Sequence, residues 1–313
     1  MAPGSFGANP MAEVIALVGM GLLGSALAEN LIAAGFSVRG YDVAAAPMRA
    51  HAERGGVLAT SPADAAHGAS VIVTCLMTAE IVREALLGAR GAVDAAAPGA
   101  VVIDASTIHP DGSAAIAAEL ARRGIAMLDA PVGGSSGQAR RREAPVVVGG
   151  DRAVFDRCRP VLEAIAMRVH HVGPNGSGAR AKLVINLVLG LNRLALAEGL
   201  LFGLRQGLDG PALLAVLQDS AAYSRAMDIK GERMLEGRYE PEGKLAQHLK
   251  DVDLMLEVGH AVGALLMATA LHRQLLLAGV AAGWSERDNS SIMAVLRSLI
   301  ERASAPPETA APS

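Results

Sequence analysis

The chain has 313 residues, half of them hydrophobic (51%) but only 3% aromatic, and a formal net charge of −3. Such a length accommodates two domains, whose cores must be filled by Ala, Val, Leu, Ile and Met. The most basic run, Arg140-Arg141-Arg142, is followed at once by Glu143, which excludes a nucleic-acid or membrane-surface patch, and two cysteines, Cys75 and Cys158, are too few for a disulfide framework or a metal centre.

Reduced thiols of this kind point to the cytoplasm. Residues 1–10 (MAPGSFGANP) lack both a basic start and an apolar stretch, so they read as a disordered extension and not as a targeting peptide. The Pro- and Ala-rich residues 304–313 read as a disordered tail.

The first element is a short β-branched run, Val14 to Val18, followed by Gly19-Met20-Gly21-Leu22-Leu23-Gly24 and an amphipathic run to about Ala34. This is strand, glycine turn and helix. Gly19 serves the tight turn, Gly21 lets a pyrophosphate approach the backbone, and Gly24 lets helix and strand pack closely. The amino-terminal amides of the helix then face the phosphates. Ser37 to Tyr41 reads as the second strand, closed by Asp42, which lies 18 residues beyond Gly24. A carboxylate there accepts from the ribose hydroxyls and repels a 2′-phosphate. NAD is therefore favoured, with NADP left open by Arg39 and Arg49.

A helix near Pro47 to Arg54, a helix that Ser61 can cap, a strand at Val71 to Leu76, a helix at Ile81 to Leu87 and a strand at Val101 to Asp104 continue the alternation. Strand and helix in turn predict a doubly wound parallel sheet covered on both faces, of Rossmann type, with ligands at the carboxyl ends of the strands. Leu76 and Met77 after one strand, and Ser106 and Thr107 after the next, fall on that crevice. Met127 to Gly137 (MLDAPVGGSSG) then runs from a strand into glycines and serines, a loop whose accessible amides can cradle a carboxylate.

From about Gly173 the pattern changes. Pro174, Asn175 and Gly176 read as a turn, Ser177 as a cap, and the run that follows to Gly207 is apolar almost all round, as in a buried helix. Lys182, Asn186, Asn192, Arg193 and Glu198 interrupt it too often for a membrane span. Lys182 and Asn186, four residues apart, share one face, where an ammonium and a carboxamide need partners or a task. Pro211 to Gln218, Ser224 to Leu235, Lys250 to Ala268 and Leu271 to Ala282 read as further helices with wide apolar faces, enough to predict coverage by a second subunit. The domains are then 11–172, a dinucleotide-binding α/β domain, and 173–303, an all-α domain for substrate and dimerisation, entered by a long interdomain helix. Tyr223, His248, His260 and Trp284 have no motif support, and Asp288 reads as the cap of a short helix.

GMGLLG near the start, DASTIHP at 104–110, LDAPVGGSSG at 128–137, VVVGG at 146–150, GSGARAKLVIN at 176–186 and KDVDL at 250–254 together resemble the β-hydroxyacid dehydrogenases. That family includes 3-hydroxyisobutyrate dehydrogenase and tartronate semialdehyde reductase and is related to 6-phosphogluconate dehydrogenase. The resemblance implies hydride transfer between a nicotinamide and a small 3-hydroxy acid or its semialdehyde. It implies Lys182 as catalytic residue with Asn186 beside it, Gly133, Gly134 and Ser135 holding the substrate carboxylate, and Thr107 and Lys250 flanking the nicotinamide. It also implies a homodimer or homotetramer. Two positions depart from the family pattern. Gly133-Gly134-Ser135 stands where Ser-Gly-Gly is usual, and Ile185 stands where the first of two asparagines is usual.

Chemically, Lys182 exchanges the hydroxyl proton if desolvation and a neighbouring cationic nicotinamide favour its neutral form, while Asn186 hydrogen-bonds the substrate. Asp251 is expected to hold Lys250. The alternatives are an imine or ketone reductase on the same fold, against which Lys182 argues, and a catalytically inert cofactor-binding module.

Overall fold

The computed structural model describes residues 13–304, so the tails expected to be disordered lie outside the described residues, apart from Ser304, which ends the last helix. The chain divides into two compact units between Ile185 and Asn186.

The first unit is an eight-stranded sheet flanked by helices. Its chain order is β1 (Val14–Val18), α1 (Leu22–Ala33), β2 (Ser37–Tyr41), α2 (Ala45–Glu53), β3 (Val57–Leu58), α3 (Pro62–Ala66), β4 (Val71–Thr74), α4 (Ala79–Leu87), β5 (Val101–Asp104), α5 (Pro110–Ala121), β6 (Ala126–Asp129), α6 (Ser136–Arg140), β7 (Val146–Gly149), α7 (Arg152–Ile165) and β8 (Val169–Gly173). The strands lie in the order β3-β2-β1-β4-β5-β6-β7-β8. Because side chains alternate across each strand, Leu17, Val73 and Ile103 enter one core with α1 and α7, while Ala16, Ile72 and Val102 enter another with α4 and α5. Both faces are buried, which explains why these strands read as continuous apolar runs.

One ladder departs from the parallel expectation: β6 and β7 pair antiparallel. The chain between them makes only the short α6 and turns back, as the antiparallel bridge of Val132 with Val146 shows, instead of crossing a face of the sheet. The α7 crossover then restores a parallel pair, β7 with β8.

The second unit is helical among its described residues. The chain enters it on α8 (Ser177–Arg205), a 29-residue helix that spans the division. There follow α9 (Gly210–Asp219), a π-helical segment Met227–Gly231 continuous with α10 (Glu232–Glu236), α11 (Leu245–Ala261), α12 (Met267–Ala281) and α13 (Ile292–Ser304). α11 starts and stops earlier than the Lys250 to Ala268 expectation. It ends at Val262, where the backbone of Gly263 turns left-handed (φ +70°), a conformation glycine adopts at no steric cost.

By length and composition α8 could cross a membrane. In this fold its Lys182, Asn186 and Arg193 are all buried in protein.

Candidate active site

In the first unit, the turn after β1 fits a dinucleotide phosphate. Gly19 has φ +97°, and a Cβ there would lie 2.3 Å from the Cys75 carbonyl; one on Gly24 would lie 1.9 Å from the Gly19 carbonyl. Those two glycines are required by packing. Gly21 differs, since a Cβ there would meet nothing within 4 Å, and it is the cap residue of α1. The open space therefore lies where helix amides project, as an anion cradle needs. Leu22 is exposed, Leu23 half-buried and Met20 buried against the sheet.

Asp42, at the carboxyl end of β2, accepts from the Met20 amide (2.7 Å) and the Ala44 amide (2.8 Å). Its carboxylate is thereby fixed beside the glycine turn. Further along the same sheet edge, the Ser106 hydroxyl accepts from the Leu76 amide at 2.9 Å, Met77 is exposed and Thr107 is half-buried. Behind them Asp104 accepts from the Thr74 hydroxyl (2.8 Å) and the Ser106 amide (3.1 Å). Burial raises the Asp104 carboxyl above the ordinary range, so it serves as a neutral strut under this edge.

The segment after β6 is organised differently from the open loop expected. Gly133 donates its amide to the Pro145 carbonyl at 2.7 Å, and Ser135 donates its amide to Gln138 Oε1 at 3.0 Å. Ser135 and Gln138 form a reciprocal capping box that starts α6. The signal for this was present in the spacing Ser-x-x-Gln. Of the three amides at 133–135, that of Gly134 is the one left without a partner inside the fold.

The residue that positions Lys182 is Asp129, at the end of β6. Its carboxylate is buried and accepts from the amides of Gly176 (2.8 Å) and Ala179 (2.9 Å) at the start of α8. Burial pushes this carboxyl up, and the amides of Ala179 and Gly176 oppose that. Asp129 thus does the capping expected of Ser177. One turn into the helix, the Lys182 amine is 6% exposed and donates to the Val132 carbonyl at 2.6 Å. Gly133 and Ile185, the two positions that depart from the family pattern, are neighbours: a Cβ on Gly133 would lie 3.4 Å from Ile185 Cδ1.

In the second unit, Asn186 is buried and donates to Asp251 Oδ2 at 2.8 Å, while Lys250 lies 3.2 Å from Asp251 Oδ1. Asp251 therefore joins the two residues expected to act there. Tyr223 is half-exposed and donates to Asp228 (2.5 Å), and Trp284 packs edge-on against Tyr239.

Known proteins share these features. Residues 14–173 match the NAD binding domain of 6-phosphogluconate dehydrogenase, and residues 176–296 match a domain described as NAD-binding of NADP-dependent 3-hydroxyisobutyrate dehydrogenase. The chain is 32% identical to an L-threonate dehydrogenase of Cupriavidus necator, over 90% of this chain and 96% of that one. The chain belongs to the β-hydroxyacid dehydrogenase family. A 2-hydroxy-3-oxopropionate reductase of Escherichia coli is 31% identical over 90% of this chain and 96% of its own. The crystal structure of a 3-hydroxyisobutyrate dehydrogenase from Salmonella typhimurium superposes with a TM-score of 0.82 at 26% identity, covering 90% of this chain and 99% of that one. As a β-hydroxyacid dehydrogenase, the protein is an oxidoreductase that acts on a CH–OH group with a nicotinamide cofactor.

Proposed function

We propose that this β-hydroxyacid dehydrogenase interconverts a small 3-hydroxy acid and its semialdehyde, with Lys182 exchanging the hydroxyl proton. The observation that carries the reading is the buried Lys182 amine, held at 2.6 Å by the Val132 carbonyl on a helix start fixed by Asp129. When bound, the nicotinamide supplies the hydride acceptor or donor. In oxidation Lys182 takes the hydroxyl proton as the carbonyl forms, and in reduction it returns that proton. Asn186, one turn along α8, hydrogen-bonds the substrate, and the Gly134 amide with Ser135 and Gly133 receives its carboxylate. Thr107 and Lys250 close on the nicotinamide, and Asp251 orients both Lys250 and Asn186. Gly19 to Gly24, Leu76 and Met77 line the cofactor.

NAD is the preferred cofactor in this reading, because Asp42 stands where it accepts ribose hydroxyls and repels a 2′-phosphate. An imine-reductase activity fits less well, since Lys182 is retained and the relatives named above act on hydroxy acids or an oxo acid. Homo-oligomerisation through the helical unit is supported by large exposed apolar side chains there, among them Val188, Phe202, Val216, Val262, Leu265 and Met267. Two free thiols, Cys75 and Cys158, fit a cytoplasmic setting.

The test is a nicotinamide absorbance assay with NAD and with NADP, run across short 3-hydroxy acids, their semialdehydes and neutral ketones. Turnover confined to carboxylated substrates and faster with NAD supports the reading. Turnover of neutral ketones or imines alone, or of nothing, refutes it.

A further inference from the structure

Three turns of α8 beyond the site just described, the helix carries a second buried polar position that the proposed reaction does not use. Arg193 is 7% exposed, yet its Nε and Nη2 atoms have no hydrogen-bond partner among the described residues. A guanidinium stays charged in proteins, and burying it without partners is costly. Burial brings Arg193 down only to about 10, and Asp288 is the carboxylate whose field opposes that fall. Asp288 is already committed elsewhere, to Lys230 and to the Glu242, Gly243 and Ser290 amides.

The unpaired atoms identify the missing partner. Nε and Nη2 form the edge of the guanidinium that grips a carboxylate with two parallel bonds. The chain uses this edge elsewhere: Arg83 holds Glu119 (2.8 and 2.7 Å) and Arg141 holds Glu143 (3.0 and 3.0 Å) in this way. On Arg193 the same edge is buried and unfilled by protein. Its neighbour His272 is 1% exposed, has an Nε2 without a partner, and is pushed by burial and then by Arg193 down to about 4, so it adds a neutral hydrogen-bonding group and no competing charge.

This position is separate from the one at Asn186. Asn186, Gly190 and Arg193 lie along one stripe of the helix. At Gly190 the rings of His248 and His272 press onto the helix, since a Cβ there would lie 2.6 Å from His248 Nε2 and 3.0 Å from His272 Cε1. They close the stripe between its two ends, which are about 10 Å apart at the helical rise per residue.

We infer that Arg193, with His272 beside it, forms a binding site for a small-molecule carboxylate in the helical unit, distinct from the place where the substrate is transformed. The inference does not rest on the proposed reaction, and its test involves no turnover. Thermal unfolding of the full chain is followed in rising sodium acetate and sodium malonate, against sodium chloride at matched ionic strength, for the wild type and Arg193→Met. A carboxylate held by Arg193 raises the wild-type midpoint by about 2 °C or more over that of the variant at saturation. In arginine-¹⁵N-labelled protein, the Arg193 Nε–H resonance, identified by its loss in Arg193→Met or Arg193→Lys, shifts saturably over the same concentrations. If neither variant folds, the saturable arginine resonance of the wild type with acetate and malonate carries the test alone. Equal midpoint shifts in wild type and variant overturn the inference. So does a resonance that ignores carboxylates or follows chloride equally, or one that shifts with protein concentration alone, which would mean that a second copy of the chain supplies the carboxylate.

Discussion

The Lys182 amine and the Val132 carbonyl are joined by a 2.6 Å hydrogen bond, and Val132 lies three residues beyond Asp129, whose carboxylate holds the first amides of the same helix. One strand end therefore sets both the start of α8 and the resting place of the lysine. If Lys182 is the proton-exchanging group, Lys182→Ala lowers kcat by at least about a hundredfold, the usual scale for a lost acid or base. Cofactor affinity, read by nicotinamide fluorescence titration, stays within a few fold. Lys182→Arg gives no rescue, because a guanidinium keeps its proton. Near-normal turnover in Lys182→Ala would remove the role.

Asp129 is expected to matter for stability and geometry without touching substrate. Asp129→Ala leaves the Gly176 and Ala179 amides unpaired in a buried place, at a cost of about 3 kcal/mol. Urea unfolding measures this directly. In the same variant kcat falls, because the helix start is no longer fixed, while Asp129→Asn keeps one acceptor oxygen and loses less of both. A variant as stable as wild type would show that the cap is dispensable.

Much of the first unit was legible because its strands are buried on both faces: Val14–Val18, Ser37–Tyr41 and Val101–Asp104 read as unbroken β-branched or apolar runs bounded by turn residues. The reversal between β6 and β7 was not, since nothing in the local pattern of Met127 to Val148 says whether the chain crosses the sheet or turns back. At the candidate site, Lys182 and Asn186 stood out as polar groups on an apolar helix. Asp129 did not, because the amides it caps lie 47 to 50 residues later, and such a pairing exists only once the sheet is assembled. Arg193 could be seen only as an interruption of a hydrophobic run. Its burial, and the unfilled edge of its guanidinium, are tertiary facts.

The contact between Gly133 and Ile185 predicts coupled specificity. The two positions together set an apolar, hydroxyl-free wall near Lys182 where the family usually has a serine and an asparagine. Gly133→Ser adds a Cβ that would lie 3.2 Å from Pro145 Cγ and 3.4 Å from Ile185 Cδ1, so the neighbours must yield slightly. Combined with Ile185→Asn, it restores a polar wall. The kcat/KM ratio for a substrate with a hydroxyl over one with a methyl beside the carboxylate should rise by more in the double variant than the single effects predict, by about 0.5 kcal/mol or more. Strict additivity would mean that the two departures arose independently of the substrate.

Asp288 reads from sequence as the cap of a short helix, and it does accept from the Ser290 amide at 3.0 Å. It is also fully buried and lies 3.0 Å from Lys230, itself 7% exposed at the side chain, with Glu242 at 3.2 Å as the lysine's other partner. Burial pushes the Asp288 carboxyl up, but Lys230, the Glu242 amide and the Ser290 hydroxyl and amide outweigh it and bring it down to about 2, from an ordinary 3.8. A depressed carboxylate stabilises the fold above its unfolded-state value, and that contribution is lost as pH falls from about 4 towards 2. Asp288→Asn should therefore cost about 3–5 kcal/mol at neutral pH, because it leaves Lys230 buried with one partially exposed carboxylate. The difference in urea midpoint between wild type and variant should shrink as pH is lowered through that window. Lys230→Met combined with Asp288→Asn should recover much of the loss, since it removes the stranded ammonium together with its partner. A wild-type advantage that stays constant from pH about 5 down to about 2 would show that Asp288 acts through its hydrogen bonds alone and that its charge contributes nothing.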